Sequence, residues 1–198
     1  LLLLPQAELT VRNQVDHAIL VHNLRRHLFE IEELREWEWN PLHSNSSAAV
    51  YDLISRDYAP LPERAEALRQ RLLSVRRVCD QARENLRKPS LLHTTVALRQ
   101  NRGSIGLLTE TLNAVLDSLD QPTRLAVEAA RDSAVLALHE YDQWMRSTLL
   151  RTANRDFRLG EVMFKKKLAF TLDSDIPAET ILRAAEEGLV ETEHALFR

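Results

Sequence analysis

The stretch Ala137-Leu-His-Glu-Tyr-Asp-Gln-Trp144 begins like the zinc-hydrolase pattern His-Glu-x-x-His and then departs from it. On a helix, positions i and i+4 share a face, so two imidazoles at that spacing can hold one ion while the Glu between them serves as general base. His139 and Glu140 supply the first half, but the residue four on from His139 is Gln143, and a neutral amide is a poor zinc ligand. The expected role of His139 is an ordinary helix histidine near Asp142.

The other chemically suggestive clusters are also incomplete. Glu191 and His194 form one Glu-x-x-His pair, whereas a carboxylate-bridged di-metal bundle needs two such pairs plus further glutamates. Asp173-Ser-Asp175 resembles the opening of a calcium loop but lacks the later glycine and the closing Glu, so a helix N-cap region is the expectation. Gly103-Ser-Ile-Gly106 has the spacing of a nucleic-acid-binding loop, yet it lies inside a helical pattern and predicts a close helix contact or a kink. Glu30, Glu32, Glu33, Glu36 and Glu38 are spread around their helix, and Lys165-Lys-Lys167 reads as a solvated face. No serine has a nucleophile-elbow context, and there is no glycine-rich phosphate loop. No catalytic residue and no metal ligand is therefore assigned. One unusual feature remains, the aromatic set Trp37, Trp39, Tyr51 and Tyr58. It could line a ligand groove or seal one end of a core, and both readings stay open.

The elements that must carry these residues are helices. Of 198 residues, 44% are hydrophobic and 28% charged, ordinary for a globular chain. A formal charge of −3 gives no electrostatic reason to expect a nucleic-acid partner. Cys79 is the single cysteine, which excludes an internal disulfide, and with only four glycines the chain favours long helices with few turns. No apolar run is long enough to span a membrane, and Leu1–Leu4 is too short for a signal-peptide core, so the cytoplasm is the favoured compartment. The chain lacks an initiator Met and stops within a charged helical pattern, so residues 1–198 are read as one all-helical region of a longer protein.

Leu61, Ala65, Leu68, Leu72, Val75, Cys79, Ala82 and Leu86 repeat at alternating spacings of four and three, forming one stripe on a helix that starts near Pro62. Cys79 falls in that stripe, and packing is its expected role. A second stripe runs through Leu98, Ile105, Leu108, Leu112, Val115 and Leu119. The third contains Val127, Ala130, Ala134, Ala137, Tyr141 and Trp144, whose alanines should admit a close neighbour. Leu20, Leu24, Leu28, Ile31 and Leu34 mark a first helix ending between Trp37 and Asn40, ahead of Pro41. Each stripe should be buried. Breaks at Pro41, Pro60, Pro89, Pro122, residues 154–156 and residues 173–175 leave about seven helices and no strand pattern. The expected fold is all-α, with the helices packed as antiparallel hairpins or a bundle.

Three phrases, "WNPLHSNSSAAVYDLISRDYAPLPERAEALRQRLLSV", "ARENLRKPSLLHT" and "DFRLGEVMFKKKL", resemble in order and spacing a bacterial family catalogued as domain of unknown function eight-eight-five. The resemblance spans most of the chain and departs from the pattern at Ile176. It implies a longer helical protein of zincin-like metallopeptidase character, with its metal motif downstream of the "FRLG" phrase. By that resemblance the chain is the N-terminal helical part, forming one wall of a substrate channel without catalysing anything itself. It carries no cofactor, and zinc belongs to the missing C-terminal half. The implied partners are that half and a peptide substrate, and the chain alone is expected to self-associate. The alternative is a stand-alone helical module that binds a protein or peptide.

Overall fold

A computed structural model describes residues 4–45 and 47–197. Among them there is no strand, and seven α-helices have nine or more residues: α1 Val11–Phe29, α2 Ser47–Ser55, α3 Leu61–Asn85, α4 Leu91–Gly106, α5 Gln121–Ser147, α6 Glu161–Leu172 and α7 Ala178–Leu196. Local chemistry sets several of the ends. Thr10, Ser90 and Asp120 accept side-chain capping bonds from the N–H groups of Asn13, His93 and Thr123. Prolines occupy the first turns of α3 and α5, where a missing N–H costs nothing.

The helices divide into two compact units. One is Arg35–Phe157; the other joins the chain before Arg35 to that after Phe157.

In the unit Arg35–Phe157, α3 and α5 make the most extensive contact. Ala65, Leu68, Leu72, Val75 and Cys79 on α3, and Val127, Ala130, Ala134, Ala137 and Tyr141 on α5, are all buried. The two sets share one spacing, and the Arg76–Glu140 ion pair lies beside them at 2.9 Å. Five of these ten side chains are alanine or cysteine, so the backbones approach closely. The two helices run in the same direction, because the residues following each end meet in one place. The Arg87 N–H donates to Glu38 O, next to Trp39, at 2.9 Å, and the Arg155 N–H donates to Pro89 O at 3.2 Å. Between them the chain returns through α4, whose buried Asn101 donates from Nδ2 to Leu138 O of α5 at 2.9 Å. Consecutive long helices thus alternate in direction. On the other side of α3, Arg64 fixes the connection from α2 by donating to Ala59 O at 3.0 Å and to Asp57 Oδ1 at 2.7 Å.

Two departures from regular helix occur where sequence periodicity shows nothing. A π-helical turn, Leu107–Thr111, follows α4. Beside it, a Cβ on Gly103 or Gly106 would meet nothing within 4 Å, so neither glycine serves a close helix contact. A second π turn, Glu30–Leu34, ends in Arg35 at φ 49, which breaks the expected continuous helix before the single turn Glu36–Trp39. A left-handed arginine is disfavoured by about 1–2 kcal/mol. Here its guanidinium is held by Glu38 and lies 4.9 Å from the centre of the Trp37 ring.

The second unit contains α1, α6 and α7. Phe29 is buried and stacks on Phe170 of α6 at 5.2 Å, while His22 of α1 contacts Asp173 at the end of α6 and Lys166 of α6 pairs with Glu33 of the π turn. The stripe Leu20, Leu24, Leu28 and Ile31 is exposed, contrary to the sequence expectation; of that set only Leu34 is buried. The physical reason is that α1 turns His17, His22, Arg26 and Phe29 inward instead. No residue of α6 or α7 is buried. The Asp173-Ser-Asp175 segment also differs from expectation. Asp173, at φ 47, ends α6, and Pro177 stands at the N-cap of α7.

Ala134→Leu should overpack the α3–α5 contact and cost about 1–3 kcal/mol in urea denaturation. Gly103→Ala should stabilise by about 0.5–1 kcal/mol, since the added methyl meets open space within a helix.

Candidate functional site

Ser90 and His93 make the Ser–His contact that most resembles a catalytic pair. It sits at the junction of α3 and α4, with Ser90 Oγ 2.9 Å from His93 Nδ1. Its surroundings give it a structural role. Ser90 is 1% exposed, and its Oγ also accepts from the His93 N–H at 3.1 Å as the cap of α4. Behind it, the fully buried Thr94 donates from Oγ1 to Ser90 O at 2.8 Å. The imidazole rests 5.5 Å from the Trp39 ring, and the Arg155 guanidinium lies 4.6 Å from the same ring. A buried capping serine cannot reach a substrate carbonyl, so this cluster closes the end of the α3–α5 pair. Ser90 and Arg155 also border an open depression of about 420 Å³, together with Leu91, Leu92, Thr95 and Phe157.

The four aromatics singled out from sequence are not alike. Trp39 is 5% exposed and belongs to this cluster. Trp37 is half-buried under Arg35. Tyr51 and Tyr58 are 54% and 60% exposed. The depression and the two cavities described next are lined by other residues.

A small cavity of about 20 Å³ lies among Pro41, Asn45, Cys79, Asn101 and Tyr141, room for about one water and for no organic substrate. Burial raises the Tyr141 hydroxyl above the ordinary phenol range, and that hydroxyl has no protein hydrogen-bond partner. Burial likewise pushes the Cys79 thiol up to about 11. A thiol held in its neutral form is a poor nucleophile, which fits the packing role.

In the other unit, His22 Nδ1 lies 2.7 Å from Asp173 Oδ1, and its Nε2 lies 3.0 Å from Phe170 O. Both ring nitrogens therefore face acceptors on α6 or its end. That Asp–His pair ties two helices together and leaves no ring nitrogen for a nucleophile, although a cavity of about 690 Å³ opens beside it.

The half zinc pattern is dispersed on α5. His139 is exposed, and Glu140 is engaged by Arg76, which holds its carboxyl below the usual carboxylate range. Among the described residues, no group of three or more His, Cys, Asp or Glu could hold a metal ion. Nor is any helix there long and apolar enough to cross a membrane.

A family model described as "Bacterial protein of unknown function (DUF885)" matches residues 2–196. No curated protein matches the sequence. A solved structure, described as "a putative lipoprotein of unknown function from Shewanella oneidensis", superposes with a TM-score of 0.80 at 23% identity over 97% of this chain. At that identity the likeness shows the fold. The chain spans 36% of that longer protein.

Ser90→Ala should cost about 0.5–2 kcal/mol in stability through the lost cap, and serine-directed phosphonates should leave the native chain unlabelled. Labelling at Ser90 would contradict the capping role. Cys79 should resist thiol reagents until the chain unfolds. From about pH 8.5 up to about 11 the unfolded chain releases the thiol proton while the folded chain keeps it, so stability falls as pH rises through that window. Urea titrations at pH 8 and pH 10 on native and Cys79→Ala chains read this out: only the native chain should show the extra loss.

Proposed function

We propose a function from one premise: the chain belongs to the family described as bacterial protein of unknown function (DUF885), whose model covers residues 2–196. In this reading residues 1–198 are the N-terminal helical region of a longer, zinc-metallopeptidase-like protein. The region forms one wall of its substrate channel and contributes no catalytic group. Zinc and the groups that act on a peptide belong to polypeptide outside these residues. The donor set here does not fit the metal: Gln143 stands where the second histidine would be, and Glu140 is tied to Arg76. No zinc step therefore falls to this chain.

The observation that carries the reading is that the same fold recurs as 36% of a longer solved chain. The exposed apolar faces of α1, α6 and α7 add support. Burying one Leu or Val side chain is worth about 1.5–3 kcal/mol, so the uncovered Leu20, Leu24, Leu28 and Ile31 favour a covering element. A second reading, a stand-alone module with its groove at Trp37, Trp39, Tyr51 and Tyr58, draws on the exposed tyrosines. Trp39 weighs against it, being enclosed by His93 and Arg155.

Calorimetric titration with zinc should show no tight site in the 198-residue chain and one in the longer protein. Tight one-to-one binding by the short chain would overturn the assignment. Light scattering should show the short chain's apparent mass rising with concentration, and Leu24→Glu with Leu28→Glu should suppress that rise. A concentration-independent monomer would contradict the need for cover on α1.

A further inference from the structure

Helix α7 carries two rows that repeat every seven residues. Leu182, Leu189 and Leu196 form one, and they are 60%, 59% and 77% exposed. Glu179, Glu186 and Glu193 form the other, also exposed. Seven residues are nearly two helical turns, so each row runs almost straight along the helix, with Ala185 between the leucines. In heptad terms the leucines occupy a core position, and the glutamates occupy a flanking position, the kind that selects a partner by charge. Ala178, Ile181 and Gly188 are the residues of α7 drawn partly inward, the last two on the side away from the glutamates. The leucine row is left facing solvent.

The charges on α7 favour one kind of occupant. The helix holds five glutamates against one arginine, Arg183. A second copy presenting the same face would set one glutamate row against another, and like charges across such a seam are destabilising. An anionic membrane surface meets the same repulsion. A helix with its own leucine seam and lysine or arginine at the flanking positions matches both rows.

We propose that the exposed face of α7 docks a basic amphipathic helix supplied by the part of the longer protein outside these residues. This rests on the reading that the chain is one region of such a protein, in keeping with the solved neighbour, 64% of whose length lies outside the match.

The probe is a synthetic peptide of three heptads with leucine and alanine in the seam and lysine at the flanking positions, compared with the same peptide carrying glutamate there. The lysine peptide should bind the 198-residue chain at least about tenfold more tightly, with the advantage shrinking as salt rises. Leu182→Glu with Leu189→Glu should abolish binding and leave the circular dichroism unchanged, because α7 contributes no buried residue. Equal binding of the two peptides, or binding of neither, overturns the docking face. A dimer in sedimentation that Leu189→Glu breaks overturns it in favour of a second copy.

The source of the helix is tested separately with Leu189→Cys. Its thiol should react freely with maleimide in the short chain and be shielded in the longer protein, with buried Cys79 giving no background. Equal reactivity in both overturns the intramolecular source. Zinc binding by the longer protein is measured independently, so failure of the peptidase-like reading would show there and not in these two assays.

Discussion

The close approach of α3 and α5 is the constraint on which the unit Arg35–Phe157 depends. Two long helices can lie side by side over several turns only if the side chains between them are small or interleave. Ala65, Cys79 and Ala82 on one helix and Ala130, Ala134 and Ala137 on the other meet that condition. Leu68, Leu72 and Met145 fill the remaining space and are essentially inaccessible to solvent. Because the two helices are parallel, the chain must travel back between them, and α4 does so. The turn into α4 then needs a sharp, buried cap, which Pro89, Ser90 and Thr94 supply. Trp39, His93 and Arg155 close that end. Side chains that look reactive in isolation, among them Ser90, His93, Cys79 and Tyr141, are consumed by this packing.

The unit formed by α1, α6 and α7 is held differently. Its internal links include the Phe29–Phe170 stack, the His22–Asp173 contact and the Lys166–Glu33 and Lys165–Glu179 ion pairs. Exposed ion pairs contribute about 0–1 kcal/mol each, far less than the burial of a leucine stripe. Large apolar side chains on all three helices remain in solvent. The core is thus well filled in the unit Arg35–Phe157, while the helices of the other unit keep much of their apolar surface uncovered.

The α3 and α5 stripes were legible in the sequence because their three-four rhythm is nearly uninterrupted and their small residues announce a close neighbour. The α1 stripe was equally regular, yet it is exposed. Periodicity states which residues share a face and leaves open which face finds a partner, and here His17, His22 and Phe29 turn inward. The break at Arg35 carried no signal, since a left-handed arginine is stabilised by Glu38 and Trp37 and not by its own type. The family resemblance rested on phrases spread along most of the chain, and the family model spans residues 2–196. The cluster around Trp39 was missed because His93 and Arg155 reach it from distant parts of the sequence; the local hint was Ser90, placed after Pro89 as a helix cap. Tyr51 and Tyr58 drew notice by type alone, and they stand in solvent apart from the buried Trp39.

The central claim is that packing strength is divided unevenly along this chain, with α3 and α5 as its stable centre and α1, α6 and α7 only lightly held. Native-state hydrogen exchange resolved by residue measures this directly. Amides of Leu68–Cys79 and Ala130–Tyr141 should exchange only through global unfolding, while those of α1, α6 and α7 exchange by local opening at much lower free energy. Uniform protection across all seven helices, or stronger protection in α7 than in α5, would contradict the account.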